Sequence, residues 1–304
     1  MNRRAFMRLS AVSLGAGALI QFVPNLAQAE GIIRHLRHRN GEAPSPFSFV
    51  QLSDTHVGFN GPPDPLGTAA FEHAVDVINA LDPQPDLVLF TGDLTQDSED
   101  SAEHAKRMRT FRDIASRLRV KTRHHVPGEH DAALDGGTLF RENFGETHYS
   151  FDHRGVHFIG IDNVSQGRPI AGNEQIAWLK RDVARYSHST PVVVFTHRPL
   201  FDLKPEWEWF TSDGDDVMRV LAPFDAVTVL YGHIHRENHM THANAQHHAS
   251  PSLIFGFPDP SVAEKKPLPF DKDHPFNNLG AVEITSRQLS GTEGIQQLLR
   301  EVTL

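Results

Sequence analysis

Five strand-like runs in this chain each stop abruptly at a short polar or glycine-bearing segment. Residues 87–91, Leu-Val-Leu-Phe-Thr, run into Gly92-Asp93, and residues 47–52 run into Ser53-Asp54-Thr55-His56. Residues 121–126 lead to Pro127-Gly128-Glu129-His130-Asp131, 192–195 to Thr196-His197, and 227–231 to Gly232-His233-Ile234-His235. Runs of this length bounded by turn residues predict buried strands. Between them the apolar period changes to that of helices. Thr68 is placed to cap a helix carrying Phe71, Val75, Ile78 and Leu81 on one face. A second helix over 101–118 turns Ala105, Met108, Phe111, Ala115 and Leu118 inward, and a third over 173–186 does so with Ile176, Leu179, Val183 and Tyr186.

Strands alternating with helices at this rhythm predict parallel units with right-handed crossovers. Residues 148–152 and 156–162, flanking Arg154-Gly155, instead predict a hairpin, so the fold class is mixed α/β. Residues 201–214, with Trp207 and Trp209 among acidic residues, form an aromatic loop that either lines a pocket or covers the core. Residues 258–276, rich in proline and charge, read as a long surface loop followed by a strand near 281–284.

Composition narrows the function classes. A chain of 304 residues with 39% hydrophobic content can bury a large core. The formal charge of −9 argues against a nucleic-acid or anionic-membrane surface, so any phosphate affinity is local. No cysteine is present, which excludes disulfides, thiolate metal sites and cysteine nucleophiles. Residues 1–29 combine Arg3-Arg4, a short apolar stretch and Ala27-Gln28-Ala29, the order of an export signal. The alternative, a membrane anchor, is disfavoured by a short, glycine-rich apolar run. The arginine pair before Phe6 resembles the twin-arginine (Tat) type, implying passage through that export machinery and a periplasmic or secreted protein without a stable membrane anchor. Residues 30–46 read as a linker, with His35 and His38 solvated, and 47–304 as the catalytic domain.

Each Asp or His after a strand has an ordinary explanation taken singly, since such residues cap helices and close turns. Five such sites in one chain favour a shared centre at the strand carboxyl ends. Alternating His233 and His235 can serve two adjacent metals, and oxygen and imidazole donors without sulfur suit Mn, Fe, Zn or Co. Two metals about 3.5–4 Å apart clamp an in-line phosphoryl displacement. His124, His125, His242, His247 and His248 read as surface or core hydrogen-bonding residues, or as a group reaching substrate from the mouth of the site.

Asp54-Thr55-His56, Gly92-Asp93, Gly128-Glu129-His130-Asp131, His197 and Gly232-His233-Ile234-His235 resemble, in order and spacing, the five blocks of the calcineurin-like metallophosphoesterases. The resemblance implies a β-sandwich flanked by helices with metals at one edge. It assigns Asp54, His56 and His235 to one metal, His197 and His233 to the other, and Asp93 as the bridge. The metals would be two divalent or mixed-valence transition ions. Glu129 would occupy the second metal's amide position and His130 would face the leaving group of a small phosphate ester, attacked by a hydroxide held between the metals. The hairpin Ser150-Phe151-Asp152 with Val156-His157-Phe158-Ile159-Gly160 is similar to the branch containing cyclic-nucleotide and glycerophosphodiester phosphodiesterases.

Two positions depart from the family pattern. Glu129 stands where asparagine is usual; as a ligand it would add a third carboxylate, hold the second metal more firmly and slow hydrolysis, or it turns away into a structural hydrogen bond. Gln96 stands where one branch has an acid and another a tyrosine, which leaves the partner of His130 open; Asp97, one residue later, is a candidate substitute, though its direction would differ. The expected function is hydrolysis of phosphodiesters or phosphomonoesters. The alternative is a histidine-rich metal-binding protein that keeps the fold without turnover.

Overall fold

In the computed structural model, which describes residues 47–261, 264–286 and 300–303, the strands form two sheets. The expected export signal and linker lie outside these residues. The first sheet has the order β11-β10-β1-β2-β3, from β1 (Ser48–Leu52), β2 (Leu87–Thr91), β3 (Arg123–Val126), β10 (Gly280–Thr285) and β11 (Arg300–Thr303). β1, β2 and β3 are parallel, whereas β10 runs antiparallel to β1 and to β11. The second sheet has the order β4-β5-β6-β7-β9-β8, from β4 (Tyr149–His153), β5 (Val156–Gly160), β6 (Val192–Phe195), β7 (Val227–Tyr231), β8 (Asn238–His242) and β9 (Ala245–Ala249). β5, β6, β7 and β9 are parallel, and hairpins add β4 and β8 at the two edges. The expected mixed α/β sandwich is what forms.

The sheets pack face to face through Phe49, Leu87, Leu89 and Val282 of the first and Val156, Phe158, Val193, Phe195 and Leu230 of the second. Each fully buried Phe or Leu in such a layer contributes about 1.5–3 kcal/mol. The outer face of the first sheet, with Val50, Leu52, Val88 and Phe90, is covered by α1 (Ala69–Ala80), α2 (Ser101–Ser116) and α4 (Thr138–Phe144). The outer face of the second, with Ile159, Val192, Val194 and Val229, is covered by α5 (Asn173–Val183) and α6 (Gly214–Leu221). Between α2 and α4 lies one short turn of helix, α3 (Glu129–Ala132). Both faces of the central strands are covered, which is why β2, β6 and β7 are continuous apolar runs without alternation.

Several expectations need correction. Thr68 sits at the N-cap of α1 but its side chain caps nothing, whereas Asp100 does cap α2, accepting from the backbone N–H groups of Ala102 and Glu103. His104 rather than Ala105 is the buried residue in the first turns of α2. α5 ends at Val183, so Tyr186 lies beyond it and stacks on His157 with ring centroids 3.9 Å apart. The 201–214 loop is a cover: Phe201, Trp207 and Trp209 pack with Tyr231, Ile234 and Ala249. Among the described residues no helix is long and apolar enough to cross a membrane.

Candidate metal centre

The five motifs meet at the carboxyl ends of β1, β2, β3, β6 and β7. Beyond the strands, the first two loops stay joined, because Asp54 N–H donates to the Gly92 carbonyl (3.0 Å) and His56 N–H to that of Asp93 (2.9 Å). Asp131 ties the second loop to the third: its Oδ2 accepts from Leu94 and Gly128 N–H and its Oδ1 from Thr95 N–H, each at 2.9 Å. A Cβ on Gly128 would strike Asp93, and one on Gly232 would strike Ser53 and Asp54, so both contacts require glycine. Asp54, His56, Asp93, His233 and His235 all adopt positive φ, between 40° and 66°. Each such residue costs on the order of 1–3 kcal/mol and persists only where its surroundings impose it; these five converge on one point.

Two groups of side chains result, Asp54, His56, Asp93 and His235 in one, and Asp93, Glu129, His197 and His233 in the other, with the potential ligand atoms of each within 4.8 Å of one another. Asp93 belongs to both. Its Oδ2 lies 3.4 Å from His56 Nε2 and 3.3 Å from His197 Nε2, while its Oδ1 accepts from His130 N–H at 3.0 Å. His235 Nε2 is 3.4 Å from Asp54 Oδ1 and 3.3 Å from His56 Nε2. In the second group, His197 Nε2 and His233 Nδ1 each lie 2.8 Å from a different oxygen of Glu129.

The outward nitrogens decide the tautomers. His197 Nδ1 donates to the Thr91 carbonyl (2.7 Å), His235 Nδ1 to that of Phe255 (2.9 Å), His233 Nε2 to that of Glu208 (3.1 Å), and His56 Nδ1 to Gln96 Oε1 (3.0 Å). A carbonyl oxygen only accepts, so each outward nitrogen carries the N–H, and in the neutral ring each inward nitrogen presents a lone pair. Four inward nitrogens thus face three carboxylates, and the buried Glu129 Oε2 and His197 Nε2 have only each other and Asp93 to face. Cations placed between the donors would satisfy such a set. Nitrogen and oxygen donors in this number fit a pair of transition-metal ions.

The electrostatics agree. Burial and Glu129 oppose charge on Asp93, yet His197, His130 and His56 hold its carboxyl well below the ordinary range. Burial likewise opposes ionisation of Glu129, and His233 and His197 outweigh it. His197 is displaced the other way: burial would lower it, but Asp93 and Glu129 lift it well above its usual value. The centre therefore draws positive charge.

Comparison with known proteins is decisive for the family. Residues 47–237 match the model of the calcineurin-like phosphoesterases, more than half of the chain. The chain belongs to the calcineurin-like phosphoesterase family. It is 27% identical over 208 residues to a probable glycerophosphodiester phosphodiesterase of Arcobacter nitrofigilis, covering 62% of this chain and 71% of that protein. To a 3′,5′-cyclic-nucleotide phosphodiesterase of Nostoc it is 24% identical over 227 residues, 71% of this chain and 82% of the relative. The structure of a dimetal phosphatase from Danio rerio shares the fold at 17% identity, with a TM-score of 0.54 over 70% of this chain and 89% of the other. This calcineurin-like phosphoesterase is accordingly a metal-dependent phosphoric ester hydrolase.

In this phosphoesterase all eight residues singled out from the sequence come together, including His130 at the start of α3. The partner of His130, left open by the sequence, is Asp97: its Oδ1 is 2.7 Å from His130 Nδ1. Burial alone would lower the His130 imidazole, but Asp93, Glu129 and Asp97 raise it to about 9. Gln96 Nε2 lies 3.0 Å from the same nitrogen but brings no charge. Its amide accepts from His56 and donates to Asp97 (2.6 Å), joining the first metal group to the His130 pair.

Sequence reasoning missed Gln51, whose Nε2 bridges the sheets to Thr91 Oγ1 and the Tyr231 carbonyl, and Arg198, whose Nη2 lies 3.2 Å from Glu129. It also passed over Glu208, whose carbonyl holds both His233 and Arg198. Arg198 follows a motif histidine and could have been suspected; a backbone carbonyl leaves no sequence signal. Among the described residues the remaining histidines stay outside the two groups. His125 stacks on Phe90 (4.9 Å) and burial pushes it to about 3, His124 stacks on Phe151 (3.6 Å), and His247 and His248 are buried in β9.

Proposed function

We propose that this chain is an exported dinuclear-metal phosphodiesterase. Asp54, His56 and His235 would hold one ion, Glu129, His197 and His233 the other, and Asp93 would serve both. The convergence of four inward imidazole nitrogens on three carboxylates carries this reading. When bound, the two cations would neutralise phosphoryl oxygens and acidify the attacking water. The chain's own residues supply the rest. The four carbonyl acceptors fix the imidazoles, so no reorganisation is needed as charge moves to the phosphoryl group. His130, oriented through Nδ1 by Asp97 and through its backbone by Asp93, keeps a proton on Nε2 for the departing oxygen.

The curated relatives are named for diester substrates, which favours a small phosphodiester over a monoester. A cavity of about 340 Å³ lined by His235, Arg236, Phe257 and Asp259 adjoins the first group and has room for a small ester substituent. The Glu129 carboxylate faces the other donors rather than turning away, so the reading as a ligand is favoured over a structural hydrogen bond. The twin-arginine signal over 1–29, the linker over 30–46 and periplasmic or secreted localisation complete the proposal.

The test is hydrolysis of a chromogenic bis-ester and mono-ester by protein stripped of metal and refilled with Mn or Zn. Diester turnover that disappears on stripping and returns on refilling is expected; metal uptake without turnover of either ester would leave the metal-binding protein as the answer. Replacing Arg3 and Arg4 together by Lys is expected to retain the precursor inside the cell. Unchanged delivery would assign the general secretory route.

A further inference from the structure

Across the two groups there are three carboxylates, and beside the third, Glu129 of the second group, lies a buried cation that the proposed chemistry does not use. Arg198 is only 8% exposed. Its Nη2 is 3.2 Å from Glu129 Oε1, and its Nη1 donates to the Glu208 carbonyl at 2.8 Å. The backbone is clamped as well: Arg198 N–H donates to Asn163 Oδ1 (3.2 Å), and Asn163 Nδ2 donates back to the Arg198 carbonyl (2.9 Å) and to Thr211 Oγ1 (2.8 Å). The same Glu208 carbonyl accepts from His233 Nε2, so one backbone oxygen holds both a proposed ligand and this guanidinium.

We propose that Arg198 is a positioning residue, a fixed counter-cation that holds Glu129 by Oε1, turns Oε2 toward His197, and offsets the charge of the third carboxylate. This rests on the reading of the two groups as metal sites. A guanidinium suits the task because its planar fork spans a carbonyl and a carboxylate at once and cannot lose its proton. With Arg198 in place, three carboxylates and one cation present a net charge of −2 to two ions. Without Glu129, Arg198 is a buried, uncompensated cation beside the second ion, which costs several times what the exposed equivalent would.

The two residues are therefore coupled, and their coupling is measurable on the metal alone. Metal-free protein is titrated calorimetrically with Mn²⁺ as native chain, Glu129→Gln, Arg198→Gln, the double Gln variant, and Glu129→Gln combined with Arg198→Lys. The Gln at 198 keeps a donor for the Glu208 carbonyl, and thermal melting of each metal-free variant confirms folding. Glu129→Gln is expected to weaken the second ion by roughly tenfold or more, the scale of coupling between groups in contact. Removing both charges is expected to recover much of that loss, whereas Glu129→Gln combined with Arg198→Lys, which keeps the positive charge, stays weak. A double variant that binds the second ion no better than Glu129→Gln overturns the pairing. So does an Arg198→Gln variant whose change is confined to KM for the bis-ester with metal affinity unaltered, which would make Arg198 a substrate contact. Native protein that takes up no second ion overturns the dinuclear reading itself, a result separable from loss of coupling.

Discussion

Two buried histidines of this molecule each sit between a pair of carboxylates, and they do opposite things. His157, on the helix-covered face of β5, has Nδ1 2.8 Å from Asp152 and Nε2 2.7 Å from Asp182. Both nitrogens are spent on acids, so the ring is a satisfied cation with its own anions. Burial would lower it, but hydrogen bonds to Asp152 and Asp182 raise it above its usual value. His197 spends one nitrogen on the Thr91 carbonyl and turns the other toward Asp93 and Glu129 together. Burial and nearby carboxylates are common to both. What separates the proposed metal ligand from the structural ion pair is the partner of the second nitrogen.

The largest effect expected from that difference is at the shared carboxylate. Asp93→Asn removes the charge that faces both groups and is expected to abolish turnover with substantial loss of metal, read by metal analysis beside a rate measurement. Two retained ions with near-native activity would sink the dinuclear centre. Next is His130→Ala, expected to slow esters with poor leaving groups by roughly 10²–10⁴-fold, the range of general acid catalysis, and nitrophenyl esters far less. Equal losses on both would assign His130 to phosphate positioning.

A smaller change sharpens the tautomer argument. Gln96→Leu takes away the acceptor of His56 Nδ1–H, and loss of such an outer partner is expected to cost roughly 10–100-fold in metal affinity or activity. An unaltered titration curve would show that His56 is oriented by other means. Smallest is the contrast case, His157→Asn, expected to destabilise the fold by about 1–3 kcal/mol while leaving metal content untouched. Its sign with pH is set by the raised folded value: the stabilisation from His157 is fully present below its unfolded value and is lost as pH rises through the folded one. The gap in melting temperature between native and His157→Asn protein is therefore expected to narrow toward alkaline pH, and a gap that widens would refute the ion-pair account.

Much of this was legible in the chain. Runs such as Leu87–Thr91 and Val227–Tyr231 are so apolar that they can only be buried on both faces, and the residues after them inherit the crevice at the strand ends. The site was readable for the same reason: its candidate ligands are side chains, placed by strands whose position the pattern reveals. The β8–β9 hairpin was not, because Asn-His-Met-Thr-His and Ala-Gln-His-His-Ala lack the β-branched alternation that marks a strand, and pairing with β7 makes them one. Tyr186 shows the converse, a helical spacing that continues three residues past the helix because the ring is stacked on His157.

By itself, then, the sequence determined the mixed α/β character, the order of the motifs and the identity of the candidate donor residues, since hydrophobic period and strand termini are local properties of the chain. Only the tertiary structure decided what those donors do. That Asp97 rather than Gln96 supplies the charge beside His130, that Arg198 meets Glu129, and that the Thr91, Glu208 and Phe255 carbonyls orient three imidazoles toward the centre depend on backbone atoms and on contacts between distant segments. Backbone carbonyls are the same at every position, and their direction is set by the fold alone.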